Sequence, residues 1–187
     1  MFFHGFASSG ASGTVELLRR ALPEDDIIAP DIPMDPEEAL PFLKNYCTEQ
    51  NPDLIIGTSM GGMYAQQMRG FRKICVNPAF NMSRMSKVLK PGTFKFLNGR
   101  KDNAKEFRIT KETIQHYFNM ERHQFDNITE SEREITWGLF GTEDDTTRGS
   151  YDIFKKYYSN ASRFEGGHQL NDRVLHSTVL PLIKKIM

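Results

Sequence analysis

Short apolar runs at Met1 to Phe3, Asp26 to Ala29, Leu54 to Ile56, Lys73 to Val76, Ile135 to Phe140 and Ser162 to Phe164 alternate with longer stretches of helical character. Such strands, buried on both faces and joined through helices, predict an α/β fold: a mostly parallel sheet with helices on both sides. Val15, Leu17, Leu18 and Leu22 mark an apolar helix face after the Ser/Gly-rich loop Ser8 to Gly13, and Pro36 with Glu37 and Glu38 suits the first turn of the next helix. Further helices are expected over Met60 to Met68, Tyr151 to Tyr158 and Asp172 to Ile186, the last kinked or divided at Pro181. The stretch from about 79 to 133 is too long for a simple crossover and holds helical patterns such as Lys111 to Met120, so it is expected to be an inserted cap.

A chain of 187 residues suits one domain able to bury a core without disulfides or metal. Lys+Arg and Asp+Glu both number 24, so no global field argues for nucleic acid, and no apolar run approaches the roughly 20 residues that cross a bilayer. The amino terminus lacks the basic start and apolar stretch of a secretion signal, which makes a cytoplasmic location the expectation. Cys47 and Cys75 allow at most one disulfide, and Cys75, inside an apolar strand, reads as an inert core thiol. The histidines show no convincing metal spacing, and neither metal nor cofactor is called for.

Four signals carry chemistry. Gly57-Thr58-Ser59-Met60-Gly61 follows Leu54 to Ile56 and leads into a helix, which puts a serine on a sharp turn where flanking side chains would collide with strand and helix. Taken alone, the same residues could be a Gly/Ser loop capping a helix. His4-Gly5-Phe6 ends the first strand. With a strand order of 2-1-3-4-5-6, the loops after Phe3 and Ile56 meet at the reversal, where ligands bind, and the backbone N–H groups of Phe6 and Met60 can converge on one oxygen. His4 itself reads as a brace of this loop through a ring hydrogen bond in preference to a base, and it is also proposed as a substrate contact.

Trp137 to Asp145 is a strand that ends in a glycine turn crowded with carboxylates, of which Asp144 is preferred over Glu143 and Asp145 as the group that orients a histidine. An acidic surface turn is the competing reading. Phe164-Glu165-Gly166-Gly167-His168 places a histidine on a flexible loop after a late strand, suited to reach back over the strand ends. His116, His123 and His176 lie in helix-like contexts instead.

In chain order, Ser59, Asp144 and His168 reproduce the nucleophile, acid, base sequence of the α/β hydrolases, each at the end of an expected strand. The chain resembles that superfamily over nearly its whole length, and its His4 to Ser9 opening and small size look most like the compact YqiA-like esterases. Full-length members have additional strands before the His-Gly loop for which this chain has no room, so about six strands are expected. The resemblance implies hydrolysis of a small-molecule ester or thioester through an acyl-enzyme. Ligand binding without hydrolysis, or acyl transfer, stays open as the alternative.

Only the insertion bears on the substrate. From Ala79 to Lys101 it carries Arg84, Lys87, Lys90, Lys95, Arg100 and Lys101 and no acidic residue, a local field that could recruit an anionic ester or simply a solvated surface. Arg84 and Phe80 are the substrate contacts proposed from it. Phe80, Met82, Met85, Phe94 and Phe96 either line an acyl pocket or pack the cap against the body.

Overall fold

The computed structural model describes residues 1–85 and 89–187. Five parallel strands form the central sheet: β1 (Phe2–Phe3), β2 (Ile55–Thr58), β3 (Lys73–Val76), β6 (Thr136–Gly141) and β7 (Ala161–Phe164), in the order β1-β2-β3-β6-β7. Between β3 and β6, β4 (Gly92–Lys95) and β5 (Glu106–Ile109) pair as a separate antiparallel hairpin. The register is continuous across the middle of the sheet, with Ile56 opposite Phe2 and Ile74, and Ile74 opposite Trp137.

Two layers cover the sheet because each strand alternates its side chains between faces. Phe2, Ile56, Ile74, Val76 and Leu139 pack with Val15 and Leu18 of α1 (Gly13–Ala21) and with Val174, Leu175 and Val179 of the terminal helical run. Phe3, Ile55, Cys75 and Phe140 face the other core, with Ala39, Leu43 and Cys47 of α2 (Pro36–Gln50), Met60, Met63 and Tyr64 of α3 (Met60–Ala65), Tyr117 of α4 (Lys111–His123) and Phe154 of α6 (Ser150–Lys155). Asp35 caps α2, its carboxylate accepting from Glu37 N, while Thr110 caps α4 through Thr113. The short α5 (Glu130–Glu134) leads into β6. Its Glu132 meets the wholly buried Lys73 ammonium at 2.6 Å, and the Met68 carbonyl accepts a second bond from the same ammonium.

One expectation needs correction, and two gain detail. Asp26 to Ala29 forms no strand, so the sheet has five strands rather than six and β1 lies at its edge. Phe2 N does donate to Ile28 O at 2.8 Å, which puts the segment on the expected side. A ladder cannot grow there, since β1 offers two residues and Pro30 and Pro33, without N–H groups, follow at once. The stretch from 79 to 133 holds α4 as expected, but also the β4–β5 hairpin, where the alternation of Phe94 and Phe96 with Thr93 and Lys95 is a strand signal that the helical reading passes over. The terminal helix is continuous from Asp172 to Ile186, and Leu175–Val179 widen into a π turn just before Pro181, whose missing N–H removes one donor from the regular ladder.

Both cysteines are free and buried, and burial pushes their thiols up, to about 11 for Cys47 and about 12 for Cys75. Among the described residues, no helix is long and apolar enough to cross a membrane.

Candidate active site

Ser59 sits between β2 and α3 with φ 56° and ψ −119°, a conformation that costs a non-glycine residue about 1–3 kcal/mol and so needs neighbours that enforce it. Those neighbours are backbone. Ser59 N donates to Val76 O at 3.0 Å, and Ser59 O accepts from Ala79 N and Met63 N. A Cβ on Gly57 would collide with the Gly61 carbonyl, and one on Gly61 with the Phe3 carbonyl. The two glycines of the motif are therefore where strand, helix and the loop after β1 touch.

His168 arrives on the loop after β7, with its Nε2 3.0 Å from Ser59 Oγ and its Nδ1 3.0 Å from Asp144 Oδ2. Since the carboxylate only accepts, Nδ1 carries the proton of this bond and Nε2 is left to accept from the serine hydroxyl. Asp144 lies on the turn after β6, its side chain 4% exposed against 25% for His168. Thr146 N and Thr147 N donate to Asp144 Oδ1, and Thr147 Oγ donates to Oδ2. Burial works to raise this carboxyl's pKa, but the bonds from His168 and Thr147 outweigh it and hold the group below its ordinary value. It stays a carboxylate, as a partner for a histidine that becomes cationic must. The loop after β1 completes the arrangement. A Cβ on Gly5 would lie 3.5 Å from the Ser59 Cβ, so the next residue, Phe6, begins beside the serine. Among the described residues, neither Phe6 N nor Met60 N, the first N–H of α3, has an acceptor.

The structure brings Ser59, Asp144 and His168 into one chain of hydrogen bonds, with Phe6 on the adjoining loop. Of the three proposed substrate contacts, it buries His4 and Phe80 and leaves Arg84 exposed. His4 is 1% exposed, its Nε2 accepting from Ile32 N at 3.0 Å and its Nδ1 donating to Gly5 O at 2.8 Å. Burial lowers its pKa to about 4, so it is a neutral brace of the loop, with both ring nitrogens engaged by backbone. Phe80 is 1% exposed and packs on Phe125 and Phe154, so it belongs to the core. Arg84 stands exposed on a single 3₁₀ turn, Met82–Arg84. Of the other basic residues, Lys90, Lys95 and Lys101 are exposed, and Lys87 lies outside the described residues. Arg100 is not available to a ligand: its guanidinium lies 4.4 Å over the Phe96 ring and bonds to Asp102 and to Ile32 O.

Sequence reasoning passes over two residues here, Thr147 and Asn77. The first is signalled by Asp-x-x-Thr, the spacing of a carboxylate capped by its own turn. The second is a lone asparagine at the carboxyl end of a buried strand, where α/β sheets bind ligands.

A parallel sheet with this strand-end arrangement is the α/β-hydrolase fold. The chain belongs to the uncharacterised protein family UPF0227, whose family profile matches residues 1–159. No curated protein matches it. Among solved structures it is similar to the monoacylglycerol lipase of Paleococcus ferrophilus, with 17% identity, coverage of 100% of this chain and 93% of that one, and a TM-score of 0.69. It is also similar to a metagenome-derived lipolytic enzyme (16% identity, 98% and 92% covered, TM-score 0.67). The thioesterase domain from the curacin biosynthetic pathway matches with 14% identity, 99% and 89% covered, and a TM-score of 0.55. At these identities the likeness is one of fold.

Proposed function

We propose that this protein is a serine hydrolase that cleaves a carboxylic ester or thioester through an acyl-enzyme. The observation that carries the reading is the unbroken series from Ser59 Oγ to His168 Nε2 and from His168 Nδ1 to Asp144 Oδ2, each step 3.0 Å, with the serine held at positive φ. The activities named for the lipase, the lipolytic enzyme and the thioesterase domain agree with it.

In this mechanism Ser59 Oγ attacks the substrate carbonyl carbon while its proton passes to His168 Nε2, and Asp144 stabilises the imidazolium. The Phe6 and Met60 N–H groups receive the oxyanion. Collapse breaks the bond to the leaving alcohol or thiol, which takes the proton from His168, and a water repeats the sequence on the acyl-enzyme to release the acid. His168 is a quarter exposed, which favours hydrolysis over acyl transfer, a reaction that requires water to be kept out. The stretch from about 79 to 133 serves as a cap, and its exposed Arg84, Lys90, Lys95 and Lys101 favour an anionic substrate.

Initial rates on a panel of p-nitrophenyl esters and acyl thioesters, for wild type and Ser59→Ala, test this. Turnover with a pre-steady-state burst is expected in wild type and none in the variant; equal turnover in both would place any activity elsewhere.

A further inference from the structure

Asn77 follows β3 in the left-handed region, φ 45°, and is 1% exposed. Its own neighbours hold the serine: Val76 O accepts from Ser59 N, and Ala79 N donates to Ser59 O, both at 3.0 Å. Its carboxamide reaches the other way. Nδ2 donates to Gly167 O and His168 O, each at 3.0 Å, and Oδ1 accepts from Gly141 N at 2.7 Å. The partners fix the orientation of this amide, because the two carbonyls can only accept and the N–H can only donate. Gly141 ends the strand that leads to Asp144, and a Cβ on it would collide with the Gly166 carbonyl, so the acid loop and the histidine loop are in backbone contact at this point. Two further bonds lace them: Thr142 N to Phe164 O and Glu143 N to Gly166 O, both at 2.9 Å. Asn77 is the side chain that ties this pair of loops to the strand end that holds Ser59.

We propose that Asn77 is a positioning residue that sets the register of His168 and Asp144 against Ser59, an assignment that rests on the hydrolase reading of those three residues. Neither aspartate nor alanine serves equally. Aspartate has the shape and tolerates the left-handed backbone, but turns an oxygen toward two carbonyls. Alanine leaves two buried carbonyls and one N–H without partners.

The test compares wild type, Asn77→Asp and Asn77→Ala by three readouts: the rate of fluorophosphonate labelling at Ser59, the kcat and KM split on an ester substrate, and the deshielded proton resonance of the His168 Nδ1–H bonded to Asp144. Thermal unfolding monitors the fold. In Asn77→Asp we expect labelling and kcat to fall about 10²-fold with KM moved by less than about threefold, the size of effect that a misplacement of about 1 Å produces. The deshielded resonance should be lost or broadened in the same variant. Labelling within twofold of wild type with that resonance intact would overturn the assignment. The resonance needs no substrate, so it decides the matter even for a wild type that fails to label, an outcome that counts against the hydrolase reading instead. Should both variants fail to fold, amide exchange in wild type takes their place: slow exchange of Gly141 N–H supports its bond to the buried carboxamide, and exchange at the rate of an exposed loop contradicts it.

Discussion

The strand ends that carry Ser59, Asp144 and His168 are joined by backbone and by the carboxamide of Asn77, whereas the stretch from about 80 to β6 is joined to the body largely by side chains. At the strand ends, Gly57, Gly61 and Gly141 let main chains meet where a Cβ would collide with a carbonyl, and Ser59 is bonded through its own N–H and C=O. In the other region side-chain contacts with the body run from Gln66 to Gln124 O, Ser9 to Gly99 O and Arg100 to Ile32 O, and those within the stretch from Glu121 to Ser83 and Gln124 to Phe80 O. Backbone contacts admit few substitutions and fix positions closely. Side-chain contacts can be exchanged one at a time, so a region built from them tolerates change, and the two regions should respond differently to mutation.

The largest effects belong to the strand ends. Ser59→Ala and His168→Ala should each lower kcat by about 10⁴- to 10⁶-fold, the range for removing members of a unit that acts together, read from ester hydrolysis with the unfolding temperature as control. Asp144→Asn should cost about 10⁴-fold by leaving His168 in the wrong tautomer.

A middle-sized effect concerns the His4 brace, and it appears in stability rather than rate. Its pKa is about 4 when folded, below the ordinary 6.5, because burial penalises the cation. Between those values the unfolded chain binds more protons than the native one, so stability should fall by roughly 3 kcal/mol as pH drops from about 6.5 to about 4. Urea unfolding of His4→Asn across that window should lack this component of the slope. An identical slope in the variant would show that the loop beside Ser59 is not braced by a neutral ring.

The smallest effect belongs to the side-chain-tethered region. Arg100→Ala removes the contact with Phe96 and the bonds to Asp102 and Ile32 O, which should cost about 1–2 kcal/mol by chemical denaturation. Fluorophosphonate labelling of Ser59 should stay within threefold of wild type. A loss as large as that of Asp144→Asn would erase the distinction between the two regions.

The same difference explains what was legible in the sequence. Ser59 could be found because its turn demands glycine on both sides, and His168 because two glycines free its loop after a strand. Asp144 needed the chain order of the other two, since acidic turns are common. The edge segment Asp26 to Ala29 has the composition of a strand, but pairing depends on the length of its neighbour, which composition does not disclose. For Phe80 and His4 the sequence leaves a structural and a ligand reading side by side, because residue type gives what a side chain can do and only burial decides whether it meets core or ligand. Burial selects the core for Phe80 and the loop brace for His4. Asn77 carries no motif at all, because its three bonds go to backbone groups distant in sequence.

The central claim is that Ser59 is an activated nucleophile. The most direct measurement treats the folded protein with a fluorophosphonate and locates the adduct by peptide mass spectrometry in wild type, Ser59→Ala and His168→Ala. The account predicts a single adduct on Ser59, absent in the first variant and strongly slowed in the second. A folded wild type that takes up no label, or labels equally without His168, would contradict it.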